Sequence, residues 1–241
     1  MSVDSTAFAA DALRADVTAR RRSTSAVGTV IDGIQADVSE GRLVAGQKLT
    51  VEALTRQYSV SRGTVREALR RLAAEGLIDL RFNYAPRVRM FSREELRSVN
   101  EARAAIEAEA AALAARRYAT SDRQREFEAL SAAIEKAALE QARETFLSLN
   151  RALHDLILTI AGNPVIRDFA RQLQLQILQS QMRQYDSSNS FIPIAQQEHR
   201  KIVESIRRGD PDAAAAAMRA HLVRQTELFA SLPESFYSAE E

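Results

Sequence analysis

The chain has 241 residues, 33 Lys and Arg against 32 Asp and Glu, and no cysteine, which excludes disulfides and thiolate metal sites. No apolar run approaches the roughly 18 residues of a membrane span and the N-terminus lacks the apolar core of a signal peptide, so a soluble cytoplasmic protein with no membrane partner is expected. The near-neutral total hides an asymmetry: residues 1–92 hold 14 Lys and Arg against 10 Asp and Glu, and residues 93–241 hold 19 against 22. The length suffices for two cores, and the character of the sequence changes near residue 92.

Residues 1–24 carry alanines, scattered charge and the cluster Arg20-Arg21-Arg22, and read as a mobile N-terminal extension with at most a turn or two of helix between Phe8 and Val17. From Ser25 to Gly41, Val27, Val30, Ile31, Ile34 and Val38 recur at helical spacing. After "EGRLVAGQKL", Thr50 can cap a second helix through Tyr58, and Ser59-Val60 make a short turn. Ser61 then caps a third helix that Gly76 ends. Leu77–Leu80 and Arg87–Phe91 suit two strands joined by "RFNYAP". Three helices and a hairpin outline a winged helix-turn-helix over residues 25–91.

From Ser92 onward there is no strand candidate. Six helices are predicted, at about 93–119, 122–140, 142–161, 164–186, 190–208 and 211–231, with breaks such as Gly162-Asn163-Pro164 and Gly209-Asp210-Pro211 that supply stop and start residues. Alanine-rich "AAIEAEAAALAARR" winds at almost no side-chain entropy cost. The predicted fold is mainly α: a winged helix-turn-helix followed by an all-α antiparallel six-helix bundle over residues 92–232, with a tail at 233–241.

The third helix separates its faces cleanly. Val65, Ala68, Leu69 and Leu72 fall on one side, and Gly63, Arg66, Glu67, Arg70 and Arg71 on the other. A helix entering the major groove needs this division, because its apolar stripe must rest on a supporting helix while its N-terminal residues meet the bases. The planar fork of arginine pairs with guanine O6 and N7 or with phosphate oxygens, and Ser61 and Thr64 can add hydroxyl contacts. The competing reading is a solvated helix whose arginines pair with Glu67 and Glu75. The preceding short helix, the tight turn and the following hairpin favour DNA.

"LTVEALTRQYSVSRGTVREALRRLAAEGLI" resembles the DNA-binding half of the GntR superfamily of bacterial transcription regulators, whose pattern is close to "VSR-x-PVREAL-x-RL-x-x-EGL". The sequence departs from it at Thr64, where proline is usual, at Ser59, where glycine is frequent, at the pair Val51-Glu52, and in the wing, which lacks the frequent glycine. The resemblance implies that Arg62 and Arg66 are the principal base and phosphate readers, with Ser61, Gly63 and Thr64 beside them and Arg87 in the wing, acting on double-stranded operator DNA.

The chain has three histidines, His154, His199 and His221, each inside a predicted helix, and Asn150 lies one turn before His154. Antiparallel packing about Gly209-Asp210-Pro211 can bring His199 to His221. Three neutral imidazoles and an amide oxygen would suit zinc or another borderline divalent ion with an open position; buried histidines satisfied by neighbours would read the same way. A metal-dependent hydrolase could use such a site, but no general base stands beside it. A helical scaffold that binds no DNA is the other alternative.

"NRALHDLILTIAGNPVI", "QQEHRKIVESIRRGDPDAAAAAMRAHL" and "EARAAIEAEAAALAARR" resemble the FCD ligand-binding domain of the FadR branch, and the count of six helices resembles its VanR-type subgroup. That resemblance implies a divalent metal, zinc with nickel or manganese as alternatives, held by Asn150, His154, His199 and His221, with Asn150 at a position where the family often has aspartate. It also implies a repressor that works as a homodimer and is controlled by a small organic acid. Arg103 opens an R-x-x-x-E pattern with Glu107; it serves either an ion pair with that glutamate or a fork onto the effector's carboxylate. Asn163 of "AGN" reads as a helix start.

Overall fold

A computed structural model describes residues 25–81, 83–173 and 191–237. Among them are nine α-helices and one two-stranded sheet, in two compact units. The possible turn near Phe8 and the second half of the helix predicted over 164–186 lie outside the described residues.

In the first unit, Ser25 caps α1 (Ala26–Ser39), its hydroxyl accepting from the Gly28 amide at 3.1 Å. Val30, Ile34 and Val38 of α1 are buried, as are Leu54 of α2 (Val51–Tyr58) and Val65, Ala68, Leu69 and Leu72 of α3 (Arg62–Ala74). Gly33 is required by closeness rather than by backbone angle, since a Cβ there would lie 2.4 Å from the Tyr58 ring. The sharp turn between α2 and α3 is made by Ser59, which adopts φ 52 and leaves the Val60 amide to bond Thr55 O at 3.3 Å.

The wing pairs β1 (Ile78–Asp79) antiparallel with β2 (Arg87–Val88), with Ile78 opposite Val88. Its strands are shorter than the sequence predicts, and a further segment joins them. Gly46 donates to Val88 O and Val88 to Gln47 O, both at 2.9 Å, and Leu49 donates to Pro86 O at 2.7 Å. The stretch read as a plain turn before Thr50 thus covers the free side of β2. Asn83, at φ 62, occupies the left-handed position in the wing that glycine would otherwise fill. Residues 233–237 also pack in this unit: Glu234 pairs with Arg93 at 2.6 Å, and the Arg93 guanidinium lies 4.2 Å from the Tyr237 ring centre.

The second unit is all helical: α4 (Arg93–Arg117), α5 (Gln124–Leu139), α6 (Arg143–Ile160), α7 (Pro164–Leu173), α8 (Phe191–Arg207) and α9 (Pro211–Ala230). Ala104, Ala108, Ala111, Ala114 and Ala115 of α4 are buried, and their small side chains let neighbouring helices approach it closely. Phe127, Ile134, Phe146, Leu153, Ile202 and Leu222 fill the surrounding core. Asp210 caps α9 by accepting from the Ala213 amide at 3.0 Å, after Gly209 at φ 67 closes α8; this turn folds α9 back along α8. Asn163 starts α7, its side-chain oxygen accepting from the amides of Val165 (3.1 Å) and Ile166 (3.2 Å).

Candidate nucleic-acid interface and metal centre

Helix α3 begins at Ser61, whose Oγ accepts from the Thr64 amide at 3.1 Å and lies 2.9 Å from Thr64 Oγ1. Both hydroxyls are therefore held at the helix start, where unpaired amides concentrate positive potential. Arg62, Gly63, Arg66, Arg70 and Arg71 are exposed, opposite the buried stripe. Their partners differ. Arg62 meets Glu52 of α2 at 3.1 Å, Arg70 and Arg71 meet Glu67 at 3.1 and 3.0 Å, and Arg66 has no ion-pair partner among the described residues. Glu75, an expected arginine partner, instead accepts from Gln35 at 3.0 Å.

A Cβ at Gly63 would meet nothing nearer than Ser61 Oγ at 3.7 Å, so nothing inside the unit demands glycine there. Arg87, on the wing, is exposed and donates through Nη1 to Gly46 O at 3.1 Å. Tyr84 stands at the wing's tip, 72% exposed.

In the helical unit, α6, α8 and α9 bring His154, His199 and His221 together. Ring centres lie 6.0 Å apart for His154 and His199, 5.3 Å for His154 and His221, and 4.8 Å for His199 and His221. One nitrogen from each can be chosen so that all lie within 4.8 Å of one another. Two of the rings are oriented from behind: His154 Nδ1 bonds Glu107 Oε2 at 2.6 Å, and His221 Nδ1 bonds Glu198 Oε2 at 2.9 Å. Both Nε2 atoms are left to face elsewhere.

His199 differs, being buried with neither ring nitrogen partnered among the described residues. Burial, then the neighbouring His221 and His154, hold its pKa well below the ordinary 6.5. His221 is also lowered, by burial first, with Glu198 pulling the other way. His199, held neutral with both nitrogens unpartnered, lies beside two rings oriented through Nδ1, and such a donor set fits a borderline divalent ion. Asn150 lies on α6 one turn before His154 and is partly buried.

Arg103 is engaged within α4 and with α9. Its Nε donates to Glu107 Oε1 at 2.9 Å, and its Nη1 to Asn100 Oδ1 at 3.3 Å and Gln225 Oε1 at 3.1 Å. Glu107 is thus shared by Arg103 and His154; although burial raises its pKa, these two neighbours outweigh it and hold the carboxyl far below its usual range. The link from Glu107 to His154 spans 47 residues, and no spacing rule reveals it. The role of Glu198 had a faint signal in its place beside His199, yet it serves His221, with Arg224 on its other oxygen.

A capped arginine helix in a winged module, joined in one chain to a helical unit with a buried histidine cluster, defines a DNA-binding regulator with a sensory domain. The family model described as bacterial regulatory proteins, gntR family, matches residues 26–83, and that of the FCD domain matches residues 98–224. The chain belongs to the GntR family of bacterial regulators, in the FadR-type branch that carries an FCD domain. It is 30% identical over 216 residues to the putative L-lactate dehydrogenase operon regulatory protein of Escherichia coli K12, covering 80% of this chain and 82% of that one. It is 28% identical over 210 residues to the probable D-xylose utilization operon transcriptional repressor of Paenarthrobacter nicotinovorans, covering 86% and 90%. A solved structure of a putative GntR transcriptional regulator from Rhodococcus sp. RHA1 shares the fold, with TM-score 0.72 at 18% identity over 86% of this chain and 98% of that one. The protein is therefore a DNA-binding transcriptional regulator, and no helix among the described residues is long and apolar enough to cross a membrane.

Proposed function

We propose that the protein is a metal-containing repressor, acting as a homodimer, whose operator affinity is set by a small carboxylate bound in the helical unit. The observation that carries the sensory half is His199, buried between two other histidines with neither nitrogen satisfied. His154, His199 and His221 would hold the ion, with Asn150 as a neutral fourth donor. A bound zinc, nickel or manganese ion would supply a positive centre that a carboxylate oxygen can complete. Glu107 and Glu198 fix the two outer rings, and Arg103 sets the orientation of Glu107. Because three of the five Arg103 N–H groups are already used, its contribution to an acid is at most the remaining Nη2 edge. The E. coli relative's name, that of an L-lactate dehydrogenase operon regulator, is in keeping with a carboxylate effector.

On the DNA side, Arg66 and Arg62 read bases and phosphates from α3, Ser61 and Thr64 touch phosphate, Gly63 lets the backbone approach, and Arg87 follows from the wing. Glycine inside a helix costs up to about 1 kcal/mol relative to alanine, and Gly63 has no packing reason to be there, which supports a close approach by the duplex. Two copies are invoked because one recognition helix covers only half of a palindromic site. The effector shifts the balance only if it prefers one arrangement of the pair.

Elemental analysis of the purified full chain and of His199→Ala tests the metal reading. Stoichiometric divalent metal in the parent and its loss from the variant are expected. Undiminished metal in the variant would place the site elsewhere.

A further inference from the structure

The outer face of the wing carries a juxtaposition that folding alone does not explain. Lys48, from the segment that covers the free side of β2, forms an antiparallel bridge with Arg87. Two hydrogen bonds flank the pair, from the Val88 amide to Gln47 O at 2.9 Å and from the Leu49 amide to Pro86 O at 2.7 Å. Lys48 and Arg87 are therefore a non-hydrogen-bonded pair, the arrangement in which opposing side chains stand closest. Their Cβ atoms lie about 4.5–5.5 Å apart, on one face of the sheet. That face is the solvent side: Leu49 and Val88, the next residue along each strand, are 4% and 1% exposed, whereas Lys48 and Arg87 are both exposed.

Two cations set directly opposite each other destabilise a sheet. Arg87 spends one nitrogen on Gly46 O, a neutral acceptor. Asp79 stands opposite Arg87 on β1, yet among the described residues it forms no ion pair, and neither does the Lys48 ammonium. Opposed cations that the unit itself leaves without a carboxylate point to an anion from outside. The position suits a duplex already engaged by α3. Lys48 lies four residues before Glu52, which meets Arg62 at the start of α3 at 3.1 Å, and four residues span at most about 14 Å.

We propose that Lys48 and Arg87 together grip the phosphate backbone of DNA, which makes Lys48, a residue outside both the recognition helix and the β-hairpin, part of the nucleic-acid interface. The inference rests on the reading of Arg87 given above and extends it to a second cation. The partner group is a phosphate, because the lysine ammonium is a compact point charge without a fixed fork for a base edge. Each cation takes a phosphate oxygen, and the negative charge of the strand relieves their repulsion.

The test titrates the full chain with a mixed-sequence DNA duplex over a series of salt concentrations, and separately melts the proteins without DNA. Lys48→Ala should bind several-fold more weakly and flatten the plot of log affinity against log salt by about 0.9, the loss of one phosphate contact. Arg87→Ala should do the same, the double variant should flatten the plot by about twice as much, and Lys48→Arg should keep the parent's slope. Without DNA, Lys48→Ala should melt no lower than the parent, because it removes a repulsion; a lysine with a structural role would not behave so. A parent-like slope for Lys48→Ala beside a flattened one for Arg87→Ala would overturn the assignment and leave the reading of Arg87 standing. Parent-like slopes in both would remove that reading as well. A Lys48→Ala protein that melts several degrees below the parent would make the lysine a structural residue and would equally overturn the proposal.

Discussion

Replacing Glu107 with glutamine probes the junction of the histidine cluster and α4. The carboxylate accepts from Arg103 Nε at 2.9 Å and His154 Nδ1 at 2.6 Å, and Glu107 is only 1% exposed. Glutamine keeps the volume and one oxygen, but its NH₂ must then face one of two donors. Breaking a buried ion pair costs about 3–5 kcal/mol, and the 13% exposure of the Arg103 side chain argues for the lower end, ~3 kcal/mol. The carboxyl's own titration gives a similar size: against its burial, Arg103 and His154 bring it from 4.5 to about 2, which corresponds to ~3 kcal/mol. For a chain of this length that is a melting shift of roughly 6–12 °C.

Calorimetric melts of parent and Glu107→Gln near neutral pH measure it. Because the folded carboxyl titrates below the unfolded one, the parent's advantage is complete above pH 4.5 and drains away as the pH falls toward about 2. Metal affinity should fall by about 10–100-fold in the variant, since His154 loses the group that orients it. A variant that melts within about 2 °C of the parent, or a difference that does not shrink in acid, would refute the shared ion pair.

Three further outcomes follow from the same geometry. Arg66→Ala should weaken specific operator binding by about 10–100-fold without changing the melting temperature, because the side chain is exposed and lacks an ion-pair partner among the described residues; unchanged affinity in a gel-shift titration would dismiss α3 as the reader. Ser61→Ala removes the hydroxyl that caps α3 and should cost the DNA-binding unit about 1 kcal/mol, seen as faster amide exchange at Thr64 than in the parent; equal protection would mean the cap contributes nothing. In the metal-free protein, His199 and His221 titrate below 6.5, so the unfolded chain takes up protons that the folded one refuses, and stability should fall as the pH drops below 6.5. Urea denaturation at about pH 7.5 and 5.5 checks this, and a higher stability at the lower pH would contradict it.

Much of the architecture was legible in the sequence because it is written locally. Ser25, Thr50, Ser61 and Asp210 cap the helices where hydroxyl and carboxylate side chains announced starts, and Asn163 does the same for α7. The apolar stripe of α3 and the outward arginines follow from a 3.6-residue period and need no tertiary knowledge. The three histidines could be named as a set because only three exist.

What the sequence could not decide depends on contacts between distant segments. The third segment of the wing, residues 46–49, carries no alternation to mark it as a strand and is recruited by backbone amides and carbonyls alone, which every residue has. Arg103 had two open readings, and packing chose its partners by bringing Gln225 of α9 against α4. The pairing of Glu107 with His154 and of Glu198 with His221 is likewise tertiary, because a carboxylate's reach is a few ångströms in space and unrelated to its distance along the chain. Local period and capping thus determined the helices and the face that α3 turns outward; only the assembled bundle decided which histidines are oriented and which one is left with bare nitrogens.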